Sequence, residues 1–143
     1  MLVERLTTHG ALTPATSGTG ACLEIELPAL PTAPAQARRI ARQACLDWQI
    51  PHVIDDVCLV VSELVTNAVQ HAQTPLVLAM EHEGSTLAVA VGDGQTRTPR
   101  FADLAPERAG GRGILLVSAL GTDWGVVRTV LGKTVWVNLK VRS

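Results

Sequence analysis

Ser62-Glu63-Leu64-Val65-Thr66-Asn67-Ala68-Val69-Gln70-His71 sets a carboxylate and a carboxamide four residues apart inside an otherwise apolar helical pattern. That spacing brings Glu63 and Asn67 onto one helix face, a turn apart. A carboxamide oxygen is a hard ligand suited to Mg²⁺, and a carboxylate one turn earlier can orient or deprotonate a nucleophile beside the metal. The plainer reading is a polar edge on an amphipathic helix, and the pair alone does not separate the two. His71, a further turn on, suits the negative end of a helix dipole better than a metal.

Around this pair, Val53, Val57, Val60, Val61, Leu64, Val65, Ala68 and Val69 form a wide apolar stripe. The stripe predicts a helix from about His52 to His71, with Asp55 and Asp56 at its dipole-favoured start. An earlier helix is expected from about Pro34 to Trp48, with Ile40, Ala41, Ala44, Cys45 and Trp48 on one face and Pro51 separating the two. Before it, Leu23, Ile25 and Leu27 alternate with Cys22, Glu24 and Glu26, the period of a half-buried strand over Ala21 to Leu27 that Pro28 and Pro31 end.

Downstream, Leu76 to Glu81 and Thr86 to Val91 read as strands joined in a hairpin at Glu83-Gly84-Ser85. Gly92 to Gly111 has no sustained period and is too long for an ordinary connection, as functional loops often are. A short helix from about Arg112 to Leu120 then precedes strands near Asp123 to Val130 and Thr134 to Val141, joined through Leu131-Gly132-Lys133. The order β-α-α-β-β-loop-α-β-β implies an α+β fold: a two-layer sandwich with a mixed, mostly antiparallel sheet and helices on one face. It lacks the alternation of a doubly wound fold and has no G-x-x-x-x-G-K-[ST] phosphate loop.

The length of 143 residues suits one domain, expected over residues 21–143 behind a flexible arm at residues 1–20. With one Phe and three Trp in a chain that is 47% hydrophobic, the core must be aliphatic. A net charge of −1 and scattered basic residues, apart from Arg38, Arg39 and Arg42, argue against direct nucleic-acid binding. Cys22, Cys45 and Cys58 are odd in number and form no C-x-x-C pair, so they read as buried thiols in a reducing cytosol. No stretch reads as a membrane span or signal peptide, and the expected location is cytoplasmic. No Ser/His/Asp or Cys/His arrangement stands out.

Three later segments carry further chemistry. Asp93, in Val91-Gly92-Asp93-Gly94, ends an apolar strand and can accept a hydrogen bond from an exocyclic amine such as that of adenine; a plain Asp-Gly turn is the alternative. Gly110-Gly111-Arg112-Gly113-Ile114 leads glycines directly into a helix, where free backbone N–H groups bind phosphate oxygens; a flexible connector is the alternative. Gly132-Lys133-Thr134-Val135-Trp136 places a hydroxyl at a strand start, where Thr134 either bonds a base or water near Asp93 or serves β-propensity alone. Lys133 reads as a solvated hairpin charge.

Taken in order, the boxes Glu63-Leu-Val-Thr-Asn67-Ala-Val-Gln-His71-Ala, Val91-Gly-Asp93, Gly111-Arg-Gly113-Ile-Leu-Leu-Val, Trp124-Gly and Gly132-Lys-Thr134-Val-Trp136 resemble those of the histidine-kinase-like (GHKL, Bergerat-fold) ATPases. Within that superfamily the chain looks most like the anti-sigma-factor serine/threonine kinases of bacterial partner switching. The resemblance covers roughly residues 21 to 141, and several boxes in order are far more specific than any one. It implies ATP and Mg²⁺ as cofactors, with Asn67 holding the metal and Glu63 acting as base toward an attacking hydroxyl. It further implies that Asp93 recognises the adenine amino group, that Gly111 and Gly113 carry the loop over the phosphates, and that Thr134 supports the base site; Arg112, between the glycines, either adds charge at the phosphates or faces solvent. Gly92 to Gly111 matches the family's ATP lid. The sequence departs from the superfamily's Asp-x-Gly-x-Gly at Gln95, where a glycine is usual.

The resemblance implies one of two functions. The first is a kinase that transfers the γ-phosphate to a hydroxyl of an antagonist protein. The second is a binding module that sequesters a sigma factor or another regulator, with nucleotide setting its conformation. A free ATP hydrolase fits less well, because such relatives couple ATP to a second domain. A stand-alone module is expected, since there is no room for the helical phosphoacceptor domain of the sensor kinases. A homodimer through the N-terminal strand and first helix is compatible with the resemblance, although periodicity does not separate a dimer face from a core face.

Overall fold

The computed structural model describes residues 20–71, 74–93, 123–129 and 132–141. In chain order these form β1 (Ala21–Leu27), α1 (Ala33–Asp47), a 3₁₀ turn (Pro51–Val53), α2 (Ile54–His71), β2 (Leu76–Glu83), β3 (Thr86–Gly92), β4 (Asp123–Thr129) and β5 (Gly132–Lys140). The expected arm, most of the lid and the helix expected at Arg112 to Leu120 lie outside the described residues.

α1 is built for close approach. Pro34 sits in its first turn, where no backbone N–H is required. Ala33, Ala37, Ala41, Ala44 and Cys45 make its buried face, and their small side chains let it lie against α2. Ile40 and Trp48, expected on that face, are only half-buried at its margin. Across the interface Arg38 Nη1 donates to Ser62 Oγ at 2.8 Å, and Cys58 Sγ donates to the Arg38 carbonyl at 3.6 Å. Gln49 closes the helix in a left-handed conformation with φ of 61°, and the Ile50 N–H bonds back to the Cys45 carbonyl at 2.8 Å. This is a Schellman stop, followed by Pro51.

The sheet has the order β1-β2-β3-β5-β4, and each adjacent pair is antiparallel. The sheet is therefore antiparallel throughout the described strands, in keeping with the mostly antiparallel sandwich expected. Connectivity explains the pairing. A single helix between two strands would bring the chain back parallel, but α1 and α2 together reverse it twice, so β2 returns antiparallel to β1. β3 and β4 do run the same way, and β5 separates them.

Strand alternation divides the sheet cleanly. Leu76, Leu78 and Met80 of β2, Leu87, Val89 and Val91 of β3, and Val137 and Leu139 of β5 face the helices. There they join Val57, Val60, Val61, Leu64 and Val65 of α2 in one aliphatic core. The opposite face carries Ala79 and Ala90, with Val77, Ala88 and Trp136 packed against them. Trp136 lies over Gly125, its ladder partner. A Cβ at Gly125 would meet Trp136 Cζ2 at 2.8 Å and Nε1 at 3.0 Å. Gly125→Ala is thus expected to destabilise the fold by about 1–3 kcal/mol, read as a lower Tm in a thermal melt, because the ring must leave its place.

Cys45 and Cys58 are buried free thiols, as expected, whereas Cys22 is half-buried on the edge strand β1. Burial, with a smaller contribution from the nearby Cys58, pushes the Cys45 thiol up to about 11. Burial also raises Cys58. Such thiols stay protonated and weakly nucleophilic near neutral pH.

Candidate functional site

α2 presents two kinds of surface along one edge. Val57, Val60, Val61, Leu64, Val65 and Ala68 are buried against the sheet, while Glu63 and Asn67 are half-buried beside them. The helical period explains the gradation. Asn67 lies three residues after Leu64 and seven after Val60, so it borders the apolar stripe, and Glu63 stands farther toward the edge.

Asn67 Nδ2 is buried and has no hydrogen-bond partner among the described residues. A buried amide donor without an acceptor costs roughly 1–3 kcal/mol, so a fold that keeps one has a use for it. A carboxamide offers both an oxygen for a hard cation and an N–H for an anionic oxygen. Among the described residues Asn67 thus keeps an unused donor at the half-buried edge of α2, one turn from the Glu63 carboxylate.

Asp93 lies at the end of the helix-facing row of the sheet. The helix-facing row of β3 runs Leu87, Val89, Val91, and the next residue in that row is Asp93. The ladder continues one step past the strand, since the Asp93 N–H donates to the Lys133 carbonyl at 2.9 Å. A half-buried carboxylate thus emerges on the helix side, at the end of a strand that packs on α2.

Thr134 is buried, at 4% exposure, and its ladder partner is Gly92. A Cβ at Gly92 would lie 3.1 Å from Thr134 Oγ1, so the absent side chain is what lets the two strands close here. Thr134 shares its face with Trp136, the face away from the helices, so its side chain lies across the sheet from that of Asp93 and the structure does not bring the two together. Lys133 corrects the sequence reading: it is buried at 8% exposure instead of solvated. The reason is topological. β5 is an interior strand between β3 and β4, so its first residues are flanked on both sides. Gly111, Arg112 and Gly113 lie outside the described residues, as does the side chain of His71.

Among the described residues no helix is long and apolar enough to cross a membrane. None of the curated proteins compared matches the chain. Among solved structures, the RsbU and RsbW domains of Rv1364c from Mycobacterium tuberculosis align with a TM-score of 0.66 at 22% identity, over 85% of this chain and 33% of that one. This chain spans about a third of the length of that protein. The histidine kinase domain of a blue-light activated histidine kinase from Erythrobacter litoralis aligns with a TM-score of 0.50 at 22% identity, over 96% of this chain and 69% of that one. At such identities the likeness is one of fold. A family profile described as histidine kinase-like ATPase domain matches residues 27–139, a span that holds α2, Asp93 and nearly all of β5. By that match, over a two-layer sandwich of five strands and two helices among the described residues, the chain belongs to the histidine kinase-like ATPase family.

Proposed function

We propose that the chain is an ATP-dependent regulatory kinase of the anti-sigma-factor type, acting in the cytoplasm on a serine or threonine of an antagonist protein. The observation that carries this reading is the buried amide of Asn67 one turn from Glu63, on the helix face that borders the sheet end bearing Asp93. Asn67 holds Mg²⁺, which when bound neutralises phosphate charge. Asp93 accepts a hydrogen bond from the adenine amine. Gly111, Arg112 and Gly113 bring backbone N–H groups and a cation to the phosphates. Thr134, on the opposite face, supports the strand end by filling the space beside Gly92. Glu63 takes the proton from the acceptor hydroxyl as that oxygen attacks the terminal phosphorus and the bond to the departing diphosphate breaks.

Calorimetric titration tests the nucleotide part. MgATP is expected to bind the wild type with one site per chain, and ATP in excess EDTA is expected to bind much more weakly. Absence of binding under both conditions would remove the proposal. One residue favours a second reading: Gln95 stands where the superfamily usually has glycine. In that reading nucleotide sets the affinity for a sigma factor without phosphoryl transfer. Partner affinity that changes between ATP and ADP, with no labelled phosphate moved, would establish it.

A further inference from the structure

Lys133 is an unusual residue to bury, because its ammonium loses hydration that only a counter-charge or several acceptors can replace. It is 8% exposed at the start of an interior strand. The ladder says what lies alongside. Gly92 pairs with Thr134 in the antiparallel register, so the next pair is Asp93 with Lys133, and the 2.9 Å bond from the Asp93 N–H to the Lys133 carbonyl confirms that step.

Directly opposed residues of an antiparallel pair project to the same face, about 5.5 Å apart at Cα when they share ladder bonds. Alternation puts that face toward the helices, since Val135 and Val137 of β5 and Val91 of β3 all join the main core. Lys133 has Arg128 as its other ladder partner, a residue of its own sign. Of its two ladder neighbours only Asp93 is an anion. Both Lys133 and Asp93 are engaged in polar or electrostatic interactions within the fold.

We propose that Lys133 is a positioning residue for base recognition: across the β3–β5 ladder its ammonium fixes the Asp93 carboxylate and aims it at the exocyclic amine of the nucleotide. This rests on the assignment of Asp93 to the base. The ligand chemistry read by the pair is a 6-aminopurine, and Lys133 acts on it only through Asp93. A carboxylate fixed on one side by a cation keeps its remaining lone pairs in a set direction, which is what discrimination between an amine and its absence requires.

The test compares MgATP with the magnesium complex of purine riboside triphosphate, which lacks the 6-amino group, by calorimetry on wild type, Lys133→Met and Lys133→Arg. Wild type is expected to prefer MgATP by about tenfold or more. Lys133→Met is expected to weaken MgATP about tenfold while changing the deamino analogue by less than about twofold, so that the preference closes. Lys133→Arg keeps the cation and is expected to keep most of the preference. Equal weakening of both nucleotides in Lys133→Met would mean that the lysine serves the fold alone and would overturn the inference while leaving Asp93 in place. A wild type indifferent to the amine would overturn the Asp93 assignment and the inference together. Should Lys133→Met fail to fold, Lys133→Arg decides: loss of the preference in that folded variant is equally fatal.

Discussion

Glu63→Gln is expected to lower the rate of phosphoryl transfer to a protein acceptor by about 10²–10⁴, while MgATP affinity stays within about threefold of wild type. The substitution keeps the size and hydrogen-bonding shape of the side chain and removes only its capacity to take a proton. Glu63 is half-buried at the outer edge of the α2 stripe, one turn from Asn67, so the exchange leaves the core of Val60 and Leu64 untouched. A rate effect without an affinity effect is the mark of a group that acts on the reacting hydroxyl and not on the bound nucleotide. The measurement is single-turnover transfer of labelled phosphate to an antagonist protein, run beside calorimetry on the same preparation. Normal transfer by Glu63→Gln would exclude Glu63 as the base. Loss of transfer with parallel loss of MgATP binding would instead make it part of the metal site.

The elements with a strong local pattern were legible from sequence. The 3.6-residue stripe of α2, the alternation of β1 and the β-rich runs of β2 and β3 stand within a few residues of where the sequence puts them. The same reasoning placed Glu63 and Asn67 on one face and Asp93 at a strand end. What escaped it depends on who lies beside whom. Lys133 reads as a hairpin charge until β5 is known to run between β3 and β4, because interior position is a property of strand order and not of local pattern. The mostly antiparallel sheet was expected, but the strand order β1-β2-β3-β5-β4 was not. Gln49 gave no signal as the left-handed helix stop, since glycine or asparagine is the usual residue there. On α1, larger apolar residues drew attention away from the alanines, although alanine is what a close helix pair needs.

Asn67→Leu is expected to abolish measurable MgATP binding, a loss of at least about 100-fold, and yet to leave the apo fold as stable as wild type or more stable by about 1–2 kcal/mol. Leucine is close to asparagine in shape and has no donor to leave unsatisfied. Asn67 borders Leu64 and Val60, so an apolar side chain there extends an existing surface. The buried Nδ2 has no partner among the described residues, and under the proposed assignment its cost is offset only when ligand is bound. Thermal melts with and without nucleotide separate the two effects. At a ligand concentration about 100 times Kd, MgATP should stabilise the wild type by about 2.7 kcal/mol. In Asn67→Leu the two melts should coincide, at or above the wild-type apo Tm. A variant that lost several degrees without nucleotide would show that the carboxamide is a structural group with a partner in the fold. A variant that still gained stability from MgATP would move the metal ligand elsewhere on the site.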